Sequence, residues 1–255
     1  MSDETLTADA AAAPAAPVPP GDKPLLEVRG LEVAYGDAKC LFGVDFSVNE
    51  GGVLAVLGPN GAGKSSLAGA IAGLVKPKAG SVHFDGKDIT GLAPYKVRRR
   101  GIAFVPEGRG IFPNLSVLDN LRVLLRAEVP RSERSQALER VYGYFPVLAQ
   151  RRNQAAGTLS GGEQQMLTLS RVLAKPPRLL IADEMSLGLA PLLVDNVFEA
   201  LEQARAEHVT IVLIEQYVER ALAFADDAIV LQRGKVGWRG PASEGAAAVI
   251  ETYLG

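Results

Sequence analysis

The sequence predicts an α/β fold in which helices cover both faces of a parallel sheet, with an antiparallel edge and an inserted helical subdomain. Apolar runs without alternation are typical of strands that are buried on both faces, and they recur at residues 102–105, 178–183, 209–214 and 227–232. Helical patterns such as residues 192–206 and 217–225 separate several of these runs. A third observation is that the segment from residue 115 to residue 175 is almost wholly helical in pattern.

The first 23 residues are rich in alanine and proline and carry scattered acidic residues. Closely spaced prolines interrupt helices and leave no continuous apolar face for packing. We therefore expect residues 1–23 to be a disordered tail, with a docking peptide as the alternative. The folded domain is then expected to span residues 24–255.

Two strands are expected next, at residues 25–33 (LLEVRGLEV) and 44–48 (VDFSV). We expect them to form the antiparallel edge of the fold. The apolar segment VLAVLG follows at residues 53–58 and leads directly into a glycine-rich turn. A buried strand is therefore predicted immediately before that turn.

The glycine-rich turn GPNGAGKS matches the pattern G-x-x-x-x-G-K-[ST] and lies between a predicted strand and a predicted helix. Its glycines let backbone N–H groups point at phosphate oxygens, and the following helix adds its positive dipole end. The lysine is expected to reach the β- and γ-phosphates, and the serine after it to ligate Mg²⁺. The predicted nucleotide-binding residues are Gly58, Pro59, Asn60, Gly61, Ala62, Gly63, Lys64, Ser65 and Ser66.

The middle of the chain, about residues 109–174, is predicted to be a helical subdomain inserted into the α/β core. Leu138, Val141 and Phe145 form an apolar stripe with the spacing of one helix face. Near the end of this segment, LSGGEQQM contains Ser160 and Glu163 at the spacing of a capping box, which predicts a helix start. Two glycines in a first helical turn disfavour the helix, so their presence favours close backbone approach to a ligand.

The strand RLLIADE ends with Asp183 and Glu184. Ligands of open α/β sheets bind beyond the carboxyl ends of the strands, so both carboxylates are expected in the nucleotide site. Asp183 is then expected to hold Mg²⁺ through water, and Glu184 to act as the general base for the attacking water.

The phosphate loop, LSGGEQQM and the Asp-Glu strand end, in this order, resemble an ABC-family ATPase from about residue 25 to residue 255. The resemblance implies that ATP and Mg²⁺ are bound. It also implies that Ser160, Gly161, Gly162 and Glu163 close over the γ-phosphate that a second subunit holds. The aromatic residue that stacks on adenine in the family corresponds to Tyr35, with a core or turn position as the alternative.

Three positions depart from the common family pattern. Glu107 stands where most members carry a glutamine near Mg²⁺, and Gln216 stands where most carry a catalytic histidine. Ala190 replaces a usual aspartate. The resemblance implies that Glu107 contributes to the metal site and Gln216 to catalysis.

The segments VPEGR, IFPNL and SLGLAP, the pair EQ at residues 215–216 and the terminal YLG are similar to the smaller of the two ATPases in branched-chain amino acid importers. Two permease subunits, a second ATPase and, indirectly, an extracytoplasmic binding protein are the implied partners. In isolation the chain is expected to be a monomer or a homodimer. Alternatives are an ABC transporter for an amide, urea or lipid cargo, a non-transport ABC protein, and a regulatory subunit that only binds ATP.

The composition of the chain argues against several classes of protein. The net charge of −2 provides no basic field for nucleic acid, and the single Cys40 forms no internal disulfide. No run approaches the roughly 20 apolar residues that cross a bilayer, and the N-terminus lacks the features of a secretory signal. We therefore expect a cytoplasmic protein, and the resemblance to ABC transporters implies a peripheral place on the inner face of the cell membrane. Neither of the two histidines lies in a motif, so a histidine-based metal site is not expected.

Overall fold

A computed structural model gives the fold and describes residues 24–108 and 110–254. The predicted tail, residues 1–23, lies outside the described residues. Within the described ranges, no helix combines the length and apolar character needed to span a bilayer.

The strands of the described residues alternate with helices along most of the chain. The strands are β1 Leu26–Tyr35, β2 Ala38–Val48, β3 Val53–Leu57, β4 Ala79–Phe84, β5 Lys87–Asp88, β6 Ile102–Val105, β7 Leu179–Asp183, β8 Thr210–Ile214, β9 Asp227–Gln232 and β10 Lys235–Pro241. The helices are α1 Lys64–Ile71, α2 Pro94–Arg99, α3 Val117–Glu128, α4 Arg134–Tyr144, α5 Pro146–Gln150, α6 Gly161–Leu173, α7 Pro191–Ala206, α8 Val218–Phe224 and α9 Gly245–Leu254.

The larger sheet has the order β10-β9-β3-β8-β7-β6. Its strands from β9 to β6 are parallel, and β10 pairs antiparallel with β9. Alternate residues of β3 enter two different apolar clusters: Val53, Ala55 and Leu57 one, Leu54 and Val56 the other. Burial on both faces explains why these strands are apolar without alternation, and it confirms the α/β prediction.

The antiparallel part of the fold differs in placement from the prediction. Strands β1 and β2 pair with each other, but they belong to a second sheet with the order β2-β1-β4-β5. The antiparallel edge strand of the larger sheet is β10, which the apolar pattern did not mark, because its residues alternate between exposed and half-buried. The two strands expected at the edge therefore cover one face of the parallel sheet instead.

The segment between β6 and β7 contains α3, α4, α5 and α6 and no named strand in its described residues. The predicted apolar stripe is present: Val141 and Phe145 are buried in the core, and Leu138 packs against it. These helices share one apolar cluster with a face of the parallel sheet.

The carboxyl ends of the central strands meet at one edge of the parallel sheet. Val56, near the end of β3, pairs with Ile214 at the end of β8, and Ile214 also pairs with Asp183 at the end of β7. Residues that follow these strands are therefore brought together, where ligands of open α/β sheets bind.

Candidate active site

The loop from Gly58 to Gly63 connects β3 to α1 and is packed tightly by neighbouring strands. Gly58 has φ of +145°, and a Cβ atom there would lie 2.2 Å from the carbonyl oxygen of Leu231 in β9. Gly63 has φ of +104°, and a Cβ atom there would lie 2.6 Å from Cδ2 of Leu41 in β2. Both ends of the loop therefore require glycine for conformational and steric reasons.

Helix α1 begins directly after this loop with no side-chain cap. Gly63 is its N-cap residue, and its first turn contains no acidic residue. The first N–H groups of an α-helix have no partner within the helix. An anion can accept hydrogen bonds from them and is also favoured by the helix dipole. This helix start has the geometry of the predicted phosphate cradle.

Lys64 lies folded across the loop with only 4% of its surface exposed. Its ammonium group donates hydrogen bonds to the carbonyl oxygens of Gly58 at 3.0 Å and Pro59 at 3.3 Å. The same Nζ atom lies 3.4 Å from Oε1 of Glu184. The lysine that is predicted to bind phosphate is thus paired with the predicted general base.

Asp183 ends β7 in a buried position with 2% of its surface exposed. The pKa of its carboxyl is raised to about 6, mainly by burial, and the negative charges of Glu184 and Glu107 add to this rise. A hydrogen bond from Ser65 and the positive charge of Lys64 act in the opposite direction. Its Oδ1 atom has no hydrogen-bond partner among the described residues. A buried carboxylate oxygen without a donor fits an approaching cation.

The residues predicted to hold Mg²⁺ are close to one another. Ser65 forms a hydrogen bond with Asp183, and Glu107 lies near enough for its negative charge to act on the same carboxyl. The described residues contain no group of three or more His, Cys, Asp or Glu side chains suited to a metal ion. Mg²⁺ is commonly held by one or two carboxylates together with substrate phosphates and water, and the present donor set fits that mode.

Glu184 directly follows β7 and has a left-handed backbone, with φ of +48°. Its backbone N–H donates to the carbonyl oxygen of Ile214 at 2.9 Å. Nε2 of Gln216 donates to Oε2 of Glu184 at 2.9 Å and to Oδ1 of Asn60 at 3.2 Å. Gln216 therefore connects the end of β8 with both the carboxylate and the phosphate loop.

A cleft of about 440 Å³ lies over the phosphate loop. It contains predicted site residues from the loop, the end of β7, the segment after β6 and the end of β8. Its lining residues are Cys40, Asn60, Gly61, Gly63, Lys64, Ser65, Ser66, Glu107, Glu184, Leu187 and Gln216. Gly58 and Pro59 contact the site through Lys64, and the carbonyl oxygen of Ala62 accepts from Gly234 N at 3.0 Å. Cys40 and Leu187 had not been predicted, since neither belongs to a motif that binds nucleotides.

Tyr35 is the last residue of β1 and is 54% exposed. It is not among the residues that line the cleft. The hairpin that it begins continues into β2, where the carbonyl oxygen of Cys40 lies 3.0 Å from a Cβ atom built on Gly63. The strand after Tyr35 thus borders the phosphate loop.

The predicted capping box is present at the start of α6. Ser160 Oγ accepts from Glu163 N at 3.4 Å, and Glu163 Oε2 accepts from Ser160 N at 2.9 Å. The other carboxylate oxygen of Glu163 pairs with Arg151 at 2.7 Å. Neither these residues nor Gly161 and Gly162 line the cleft over the phosphate loop.

Gly162 has a reason within the fold that the sequence pattern did not suggest. A Cβ atom at this position would lie 2.4 Å from Cδ1 of Leu193 in α7. The glycine therefore lets α6 and α7 pack closely, in addition to any approach of a ligand to its backbone.

Comparisons with known proteins agree with this geometry. The ABC transporter family matches residues 41–186. BraG of Pseudomonas aeruginosa, a high-affinity branched-chain amino acid transport ATP-binding protein, is 40% identical over 83% of this chain and 91% of its own length. LivF of Archaeoglobus fulgidus, a probable branched-chain amino acid transport ATP-binding protein, is 35% identical over 86% of this chain and 93% of its own length.

The fold is likewise similar to that of a solved ABC protein. A nucleotide-free ATP-binding cassette from an ABC transporter superposes with a TM-score of 0.81 at 26% identity, covering 91% of this chain and all of the cassette. The phosphate loop, the carboxylates after β7 and the matching family together identify the activity as ATP hydrolysis. This chain belongs to the ABC transporter family, as an ATP-binding subunit homologous to branched-chain amino acid transport ATP-binding proteins.

Proposed function

We propose that this chain powers an importer of branched-chain or other hydrophobic amino acids by binding and hydrolysing ATP. The main support is the convergence of Lys64, Glu184 and Gln216 on the phosphate loop in one cleft. The start of α6 lies outside that cleft, so its predicted contact with a γ-phosphate requires a second subunit. Both features are what a nucleotide held between two ATPase subunits needs.

Binding of ATP is proposed to rearrange the ion pair between Lys64 and Glu184. The γ-phosphate competes for the lysine ammonium group, because a doubly charged phosphate attracts it more strongly than a carboxylate does. Glu184 is then free to accept a proton from the attacking water. Gln216 keeps one hydrogen bond to the carboxylate and thereby holds it toward the loop.

Ser65, Asp183 and Glu107 are proposed to hold Mg²⁺, which when bound supplies positive charge to the β- and γ-phosphate oxygens. Tyr35 is proposed to stack on adenine. Within a single ATPase domain that covers residues 24–255, the helical segment of about residues 109–174 is proposed to act as a subdomain. It presents Ser160, Gly161, Gly162 and Glu163 to the nucleotide of the partner.

The proposed cargo follows from the relatives. The names of BraG and LivF both specify branched-chain amino acid transport. By analogy we expect two permease subunits, a second ATPase and an extracytoplasmic amino acid-binding protein as partners, with this chain at the cytoplasmic face of the membrane. No nucleic acid partner is proposed.

The proposal can be tested by isolating the full-length chain from detergent-solubilised membranes and reconstituting the complex with its binding protein in liposomes. We expect two integral membrane proteins and a second ATPase to co-purify. ATP should then drive uptake of leucine, isoleucine or valine, and a matched complex with Glu184→Gln should not do so. Uptake of urea or a short amide instead would overturn the cargo, and recovery without any permease would overturn the transport role.

A further inference from the structure

Glu215 is a buried acidic residue at the end of β8 to which neither the sequence motifs nor the proposed mechanism gives a role. Its surface is only 1% exposed, although its side chain is ionisable, and it stands next to Gln216 in the chain. Its Oε1 atom accepts from the backbone N–H of Ser186 at 3.1 Å, and its Oε2 atom accepts from the hydroxyl of Ser186. The backbone N–H of Gln216 also donates to this carboxylate.

Burying the carboxyl group of Glu215 costs free energy that an apolar side chain at this position would not cost. Burial raises the pKa of its carboxyl, while the hydrogen bonds from Ser186 and Gln216 oppose that shift. The negative charge of Glu184 adds to the rise in this pKa. Burial of a carboxylate costs free energy unless hydrogen bonds replace those that it made to water. The hydrogen bonds from Ser186 and Gln216 are therefore needed to keep Glu215 buried.

These hydrogen bonds complete a ring of contacts that includes Glu184, Ser186, Glu215 and Gln216. Ser186 stands two residues after Glu184, and Glu215 links it to Gln216. Gln216 in turn donates to Oε2 of Glu184 at 2.9 Å. Glu184, a member of this ring, has a left-handed backbone, which is strained for a residue other than glycine and persists only where its surroundings fix it.

We propose that Glu215 is a positioning residue for ATP hydrolysis, which acts through Ser186 and Gln216 to hold Glu184 toward the phosphate loop. The proposal rests on the base role of Glu184 put forward above. Glu215 also connects the site to Leu187 and the residues after it, because Ser186 lies between them and Glu184. Its carboxylate is suited to this role because it accepts several hydrogen bonds at once.

The test uses the assembled transporter, with the catalytic glutamate of the second ATPase disabled so that only this site reports. The variants are Glu215→Gln, Glu215→Ala and Ser186→Ala, with Thr210→Val as the matched control. Thr210 is buried at the opposite end of the same strand, and its Oγ1 accepts from Gly51 N at 2.8 Å. Thr210→Val removes a partly buried hydrogen bond from β8 without touching the proposed ring.

We expect Glu215→Ala to lower kcat by about 100-fold, as a displacement of about 1 Å in an active site can do. Glu215→Gln should retain more activity than Glu215→Ala, because its amide still accepts from one N–H group. The KM for ATP should change by less than about threefold in both, since the phosphate loop is untouched. Ser186→Ala and Glu215→Ala should be non-additive, because they break the same interaction.

The melting temperature separates positioning from stability. If Glu215→Gln and Ser186→Ala lower Tm as Thr210→Val does but leave kcat unchanged, Glu215 has only a structural role and the inference is wrong. A separate Glu184→Gln complex tests the underlying assumption. Turnover that survives Glu184→Gln would overturn the base role itself, whereas loss of turnover there with normal Glu215 variants would overturn only the positioning role.

Discussion

Helices α1 and α6 both begin beside glycine-rich segments, but their first turns are satisfied differently. Helix α1 starts after Gly63 without any side-chain cap. Helix α6 starts after Ser160 with a complete capping box, in which Ser160 and Glu163 exchange hydrogen bonds. The first helix therefore leaves its N–H groups for a ligand, whereas the second has used one of them internally.

The side chains around the two helix starts also differ, because those next to α1 are suited to a phosphate and those next to α6 support the cap. Next to α1 the chain places Lys64, Asp183 and Glu184, so cation, acceptor and proposed base are already together. At α6 the cap residue Glu163 forms an ion pair with Arg151. We infer that α1 supplies the phosphate cradle of the chain's own site, and that α6 contributes to the site of a second chain.

The largest effect is expected when the proposed base is removed from the site next to α1. Glu184→Gln is expected to lower kcat by about 10²- to 10⁴-fold, because proton abstraction from water is lost. ATP should still bind, since the loop and Lys64 are unchanged, and the subunits should remain closed around it. Single-turnover hydrolysis and size-exclusion chromatography with ATP measure the two effects. Normal turnover would show that another group accepts the proton.

The second test removes the cation from the same site. Lys64→Ala is expected to weaken ATP binding by about 10- to 100-fold, the equivalent of one charged hydrogen bond of about 1.5–3 kcal/mol. Equilibrium titration with labelled ATP gives the dissociation constant. Lys87→Ala, which removes an exposed lysine from β5, is the control and should bind normally. Equal affinity in the two variants would contradict the phosphate role of Lys64.

Much of the fold was predictable because the local pattern reports burial. Strands β7 and β8 are buried at every position, and their apolar runs predict them closely. The division into two sheets was not predictable in the same way. Strand β1 pairs with β4, which lies beyond α1 in the sequence, and no local pattern specifies such a long-range partner.

The site was predictable where a motif fixes neighbouring residues in one turn. Lys64 and Ser65 are neighbours at the start of α1, and both act on Asp183, which reaches them from the end of β7. Glu215 was missed, because an acidic residue after an apolar strand is usually solvated at the sheet edge. Its signal was its place beside Gln216, but the burial depends on Ser186, which lies 29 residues away in the chain.

The third test weakens the link between β8 and the α1 site. Gln216→Ala is expected to slow hydrolysis by about tenfold, because it removes the hydrogen bond to Glu184 and one donor near the transition state. It should change ATP affinity much less than Lys64→Ala does. Gln203→Ala, on the exposed face of α7, is the control. Unchanged hydrolysis in Gln216→Ala would mean that this glutamine is only structural.

The smallest expected effect lies at α6. Ser160→Ala removes the hydroxyl that accepts from Glu163 N, and loss of such a cap costs about 1 kcal/mol. For a chain of this size the melting temperature should fall by about 2–4 °C. ATP binding by the isolated chain should not change, because Ser160 does not line its cleft. Hydrolysis by the site that depends on this helix in the assembled complex should fall.

A matched cap within the same helical segment isolates the ligand role of Ser160. Ser116 caps α3 in the same manner, with its Oγ accepting from Asp119 N at 3.0 Å. Ser116→Ala should therefore cost similar stability. If α6 contributes to a second chain's nucleotide, only Ser160→Ala lowers ATP hydrolysis in the complex. Equal activity in the two variants would reduce Ser160 to a helix cap, and weaker ATP binding by the isolated Ser160→Ala chain would place α6 at its own site.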